Sequence, residues 1–426
     1  MRLKHLLSIT SCALLATSAN AQLSDCNVFL KGAHVEVGIN WNGAYGSSAV
    51  APAGYHPNVG MSAVGLANAT ICGGGSGAGT GSLGFVADPA MDGWTTGTPA
   101  YFGDYFVPGT PQEGWSIMAD GTEMDAWNQN DEINTDTTVV GSNVAYYDTD
   151  NHVIGVWQGM YDSIAIVQIT TLDTSSLQFN VQVILTNLAS TDRNNVYYMR
   201  TVDPDNEETL TGNFTTINTI EHQLPNPDNL VTVSATGPTY PAAYLALTTN
   251  DVRAKAFYLT YALAPSGETL DHIYDESAGY TYTAGSSDTL DVGIGIVFNI
   301  GTLHSVDSAG AVDSAYRTTS AIPNRAIINY GYNFMHSTGT TGLQNVNAAG
   351  VKVYPNPAKD VVNIAGLSAS DKVKLTDLTG REVGTWQTRQ NGAFTIEVGN
   401  LPAGLYMMQI TNADGQPKMN TKVQKL

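Results

Sequence analysis

The chain has 426 residues, 18 Lys and Arg against 38 Asp and Glu, a formal net charge of −20, 43 Gly and three Cys. That length holds two or three domains, and 42% hydrophobic residues is enough to build real cores, which excludes a disordered chain. With 13% charged residues and abundant Gly, Thr, Asn and Tyr, the composition favours β-structure over helical bundles. A surface this acidic repels phosphates and sets nucleic acid aside as a partner.

At the start, Arg2 and Lys4 precede an apolar stretch from Leu6 to Ala16, followed by Ala19-Asn20-Ala21. A short basic segment, an apolar segment and a small-x-small site predict a secretory signal over residues 1–21, cleaved between Ala21 and Gln22. The competing lipoprotein box, Ile9-Thr10-Ser11-Cys12, fits less well, because Ala13 to Ala16 would fall beyond it. No later stretch approaches the 18 or so apolar residues needed to span a bilayer, so no transmembrane segment is expected. Once Cys12 leaves with the signal, Cys26 and Cys72 remain in an oxidising compartment. The economical expectation is a disulfide that closes a loop of about 45 residues, worth roughly 3 to 4 kcal/mol in the chain-entropy model. Two separate buried thiols are the alternative.

Residues 22–335 form the expected cargo domain. Up to about residue 130 it is dense in Gly and aromatics. Trp94, Tyr101 and Trp115 lie in turn-rich sequence and are the candidate glycan-binding residues, since a ring face covers the apolar C–H face of a pyranose. The competing reading places them in the core. Gly79-Thr80-Gly81-Ser82-Leu83-Gly84 matches a dinucleotide pattern but lacks the preceding strand and following helix that the pattern needs, so it reads as a loop.

Beyond residue 130 strand signals dominate. Leu177, Phe179, Val181, Val183 and Leu185 alternate with Gln178, Asn180 and Gln182, the signature of a half-buried antiparallel strand. Similar runs recur from Val153 to Tyr332, giving roughly fifteen strands and a large antiparallel β-sandwich, or two smaller ones. A helical period is conceivable only from Val306 to Thr318.

Two acidic loops stand out. Asp203, Asp205, Asn206 and Glu208 present oxygen ligands in one short segment, and Asp148-Thr149-Asp150-Asn151 repeats the pattern. Calcium takes six to eight hard oxygens at about 2.4 Å, so the first loop is the candidate calcium site and the second a weaker one. The alternatives are turn-capping side chains, and an Arg200 that pairs with an acid of the first loop. Glu113, Glu123, Asp125, Asp131, Glu132 and Glu221 could supply a glycosidase pair, but no spacing places two of them together, and no catalytic residue is assigned. There is no P-loop, zinc HExxH or GxSxG motif.

Residues 336–350 are short of charge and rich in small polar residues, as linkers are. Residues 351–426 then carry six or seven short strand signals separated by Gly, Asn and Pro, which predicts a small immunoglobulin-like β-sandwich. Here the motifs become specific: Val353-Tyr354-Pro355-Asn356-Pro357, then Leu375-Thr376-Asp377-Leu378-Thr379-Gly380-Arg381, then Leu401-Pro402-Ala403-Gly404-Leu405-Tyr406. This segment resembles the type A C-terminal sorting domain of the type IX secretion system. The resemblance implies engagement of the outer-membrane secretion machinery, export, and either attachment to the cell surface or release. Physically, Pro355 and Pro357 favour an extended approach to the first strand, and Gly380 and Gly404 are expected in turns. The segment from Gly84 to Trp115 is similar to the N-terminal part of uncharacterised secreted surface proteins with the same tail, which names no activity.

The charge divides along these lines. Residues 22–350 hold 7 basic and 32 acidic residues, the tail 9 basic and 6 acidic, and no Lys or Arg occurs from Gly32 to Asp192. The sequence therefore predicts an acidic all-β cargo on a mildly basic delivery module. Its leading reading is a non-catalytic binding or adhesion module for a glycan or host surface, stabilised by calcium. The rivals are a polysaccharide-acting enzyme and a structural surface-layer component.

Overall fold

The computed structural model describes residues 21–24, 26–57, 81–94, 103–107, 112–121, 126–129, 139–149, 151–260, 269–276, 278–305, 324–335, 351–354, 358–377, 382–402, 404–412 and 417–425. The chain divides into two compact units, residues 1–336 and 337–426.

Among the described residues, the first unit is one large antiparallel sandwich with a smaller sheet beside it. Its wide layer has nine strands, running from edge strand Ser287–Leu290 through Thr216–His222, Val231–Thr236, Tyr244–Thr249, Arg325–Asn333, Gln178–Asn187, Ile164–Asp173 and His152–Tyr161 to edge strand Val140–Asp148. The facing layer has six, in the order Tyr280–Thr281, Ala254–Leu259, Ile294–Leu303, Arg193–Val202, Glu113–Met118 and Ala126–Gln129. A four-stranded sheet of Ala21–Ser24, Asn27–Lys31, Val35–Ile39 and Phe85–Ala87 adds Val28, Leu30 and Val37 to the same core.

The alternation read in Gln178–Asn187 holds strictly. Phe179, Val181, Val183 and Leu185 are buried and face Tyr332, Tyr330, Ile328 and Ala326 on one neighbour and Leu172, Thr170, Gln168 and Ile166 on the other. Gln182 lies on the outer face, where its amide donates to Asn329 Oδ1 at 3.0 Å. Between the layers Trp115 meets Trp157 edge-on at 5.2 Å, and Tyr198 and Phe298 lie 6.3 and 6.1 Å from Tyr330. One continuous core of this size is what encodes a single sandwich rather than two. Among the described residues, two short helices, Glu208–Thr211 and Leu270–Tyr274, interrupt loops and carry no layer of their own. The helical period considered from Val306 to Thr318 lies outside the described residues.

The second unit pairs a three-stranded sheet (Lys352–Tyr354, Val361–Leu367, Gly392–Glu397) with a four-stranded one (Glu382–Gln387, Lys372–Asp377, Gly404–Thr411, Pro417–Lys425). Val362, Ile364, Val373, Leu375, Ile396, Met408 and Ile410 fill the space between them, making a small immunoglobulin-like sandwich. Tyr406 is buried, and its hydroxyl donates to the Pro402 carbonyl at 2.8 Å, which holds the chain as it enters the strand. Gly404 begins strand Gly404–Thr411, pairing with Lys425, rather than lying in the turn expected of it. Pro355, Asn356, Pro357 and Gly380 lie outside the described residues.

Candidate functional site

The first acidic loop becomes a buried carboxylate cluster. It leaves the end of Arg193–Val202, and two backbone bonds fix it: Asp203 N–H donates to the Gln112 carbonyl at 2.8 Å and Asp205 N–H to the Tyr105 carbonyl at 2.7 Å. Asp203 and Asp205 are 2% and 1% exposed, which for carboxylates demands a partner. The third member is Asp291, just beyond edge strand Ser287–Leu290, and one oxygen from each of Asp203, Asp205 and Asp291 lies within 4.8 Å of the others. At that distance, with an effective dielectric near 20, each pair of ionised carboxylates repels by about 3 kcal/mol. Burial first, then the charges of Asp203, Asp291 and Glu208, accordingly push the Asp205 carboxyl well above the usual range. Burial also raises Asp291 and Glu208.

The other sequence candidates in this loop have definite roles. The Asn206 amide nitrogen clips two strand ends together by donating to the Ala235 and Ala243 carbonyls at 2.7 and 2.8 Å. Glu208 is the first residue of the helix Glu208–Thr211 and is half-buried. Neighbouring Glu207 is fully buried and accepts the backbone N–H groups of Thr239 and Tyr240 at 3.1 and 2.9 Å. Arg200 does not pair with this loop, contrary to the alternative raised by the sequence. It points into the sandwich core and binds Glu113 instead, with Nη2 donating to Oε2 at 2.7 Å.

The second acidic loop is a hairpin turn. Thr149 exchanges bonds with His152, its N–H donating to the His152 carbonyl at 2.9 Å and its hydroxyl accepting from the His152 N–H at 3.1 Å. Thr149 thus caps this turn. Asp150 lies outside the described residues.

Of the aromatic candidates, Trp115 is corrected: it is 1% exposed, stacked 6.1 Å from Tyr198, and its indole N–H donates to the Asn42 carbonyl at 3.2 Å. A ring packed on both sides cannot receive a sugar. Tyr101 lies outside the described residues. Trp94 is half-buried, and its ring stacks on His56 with centroids 4.3 Å apart and planes 10° from parallel. Each half of this shelf is held from beneath by a fully buried carboxylate. Glu36 accepts from the His56 N–H at 2.7 Å, binds its Nδ1 at 3.0 Å and pairs with Lys31 at 2.8 Å. Asp88 accepts the backbone N–H groups of Gly93 and Trp94 at 2.9 and 3.3 Å, while the Trp94 indole N–H donates to the Ala33 carbonyl at 2.7 Å. Glu36 and His56 were not singled out in the sequence, where 20 residues and no motif separate them.

Cys26 is disulfide-bonded. Cys72, the partner expected for it, lies outside the described residues, as do residues 1–20 of the expected signal. Ala21 and Gln22 stand on strand Ala21–Ser24, paired with Leu30 and Phe29.

Residues 352–424 match the family of the secretion system C-terminal sorting domain. The chain is thus an exported, all-β cargo protein with a type IX sorting domain, destined for surface attachment or release, and that domain engages the secretion machinery. No helix among the described residues is long and apolar enough to cross a membrane. A search of curated proteins finds no match. Among solved structures the chain is similar to a polysaccharide lyase at 10% identity, covering 74% of this chain and 39% of the lyase, with a TM-score of 0.23. It is also similar to PorZ of Porphyromonas gingivalis, described as an essential bacterial surface component of the type IX secretion system, at 12% identity over 97% of this chain and 71% of that one, with a TM-score of 0.17. Scores this low carry no argument for either chain's activity.

Proposed function

We propose that the exported cargo domain is a non-catalytic binding module that receives a glycan on the Trp94–His56 shelf. The observation that carries this reading is the stacked, half-exposed pair itself, with the His56 side chain 31% exposed and its buried anchor, Glu36, at 0%. A sugar ring buries its C–H face on such a surface while its hydroxyls meet flanking polar groups, and an aromatic pair held from beneath loses little freedom on binding. Lys31, whose ammonium pairs with Glu36 at 2.8 Å and lies 5.0 Å over the Tyr55 ring, braces the carboxylate that anchors His56.

On a glycan array, the full-length protein is expected to bind a defined set of polysaccharides, and Trp94→Ala to weaken that binding about tenfold or more, the equivalent of about 1.4 kcal/mol. Binding by the native protein that Trp94→Ala leaves intact would move the site elsewhere. Release of reducing sugar that a single Glu→Gln substitution abolishes would replace the module reading with the enzyme one.

A further inference from the structure

We propose that Asp203, Asp205 and Asp291 are protein ligands of a divalent-cation site of the calcium class, and that the ion ties the turn after Ser287–Leu290 to the segment that leaves Arg193–Val202. The inference is independent of the glycan shelf and rests on three features.

The first is the convergence of the oxygens. Three carboxylates from two distant parts of the chain each bring one oxygen within 4.8 Å of the others. Ligand oxygens on a common ion at about 2.4 Å can be at most about 4.8 Å apart, so the separation fits a calcium coordination sphere. Arg200, the cation nearest to the cluster in sequence, is committed to Glu113.

The second feature is an unmet demand. Asp205 is 1% exposed, yet among the described residues neither of its side-chain oxygens accepts a hydrogen bond. The Asn206 side-chain oxygen, at 0% exposure, also accepts none, although its nitrogen is doubly bonded. Buried acceptors of this kind are rare unless an ion or water meets them, and two adjacent ones point to a bound species. A carboxylate with both oxygens bare selects a cation over a neutral ligand.

The third is the mechanical setting. The loop is pinned on its other side to the Gln112 and Tyr105 carbonyls, and Gly103 abuts Thr209 so closely that a Cβ would collide with it. One ligand sits on this pinned segment and one at the free edge of the nine-stranded sheet. An ion between them therefore joins the edge of one layer to loops of the other. Sequence spacing alone selected Asp203, Asp205, Asn206 and Glu208. The fold instead brings in Asp291, makes Asn206 a strand clip, and leaves Glu208 as a further negative charge felt by Asp205.

The test uses the full-length protein stripped with EDTA and titrated with calcium chloride while its melting temperature is followed. A saturable rise of at least about 3 °C is expected, since a ligand that binds only the folded state stabilises it in proportion to the logarithm of its occupancy. Asp291→Asn, at an exposed position that folding tolerates, is expected to abolish the rise, and Asp205→Asn to abolish it while melting no lower than the stripped native protein, because one like charge is removed. Trp94→Ala keeps the full rise. A native melting temperature indifferent to both EDTA and calcium, or a full calcium response in Asp291→Asn, overturns the proposal.

Discussion

Arg200→Met is expected to destabilise the cargo unit by about 3 to 5 kcal/mol. Arg200 and Glu113 are both 0% exposed, and the guanidinium is committed on every side. It binds Glu113, donates to the Gly43 carbonyl at 3.3 Å and to Gln168 at 3.2 Å, and lies 4.2 Å over the Tyr45 ring. Glu113 in turn accepts from the Tyr332 hydroxyl at 2.7 Å and the Tyr45 N–H at 2.6 Å. Removing the arginine leaves a carboxylate in a dry core with only neutral donors. Removing both charges is a different matter, because an apolar pair of similar volume is often as stable as a buried ion pair. The double variant Arg200→Met/Glu113→Leu is therefore expected to recover part of the loss, short of the native value because the Gly43 carbonyl and Tyr332 hydroxyl lose partners. Urea unfolding followed by near-ultraviolet circular dichroism measures both. An Arg200→Met protein within about 1 kcal/mol of native would show that the network carries no such energy.

The second large effect depends on pH. Asp104 is 1% exposed and accepts the backbone N–H groups of Gly84, Val107 and Phe106 at 2.5, 3.2 and 3.4 Å. Burial outweighs these bonds and raises its carboxyl from 3.8 to about 7. The folded state thus holds a proton that the unfolded chain releases near pH 4. Stability from this group is fully present below about pH 4 and is lost as pH rises through about 7, a loss of up to about 4 kcal/mol at roughly 1.4 kcal/mol per unit. Asp104→Asn has no proton to lose. Between pH 4 and pH 8 its stability relative to native is expected to move by up to about 4 kcal/mol in the variant's favour, and a difference that stays constant over that range contradicts the assignment.

These two groups also show where sequence patterns inform and where they stop. Gln178–Asn187 was legible because one face meets the core and the other solvent, so its period of two is written in residue type. Glu113–Met118 was not: all six residues are buried, both faces are covered, and nothing in the pattern separates a core Trp115 from an exposed one. Arg200 lies between Trp115 and Ile296 on its neighbouring strands, so its inward direction follows from pairing across the sheet, not from its nearness in sequence to Asp203. Asp203 and Asp205 were visible as a short acidic run. Asp291 was hidden because only the fold brings it to them. The Trp94–His56 shelf was half visible, since a tryptophan in turn-rich sequence announces itself and the histidine that backs it does not. The tail was the most legible part, because its recognition motifs are contiguous and ordered along 73 residues.

Those motifs reframe the charge of −20 as belonging to a cargo. A cargo segment, residues 22–350, carrying 32 of the 38 acidic residues travels on a mildly basic delivery domain, and export is the property on which the functional reading depends. The direct measurement is surface labelling of intact cells that possess type IX machinery, comparing the full chain with a chain truncated after residue 350. The full chain is expected at the cell surface or in the medium and the truncated one trapped within the envelope; equal surface delivery of both would contradict the account.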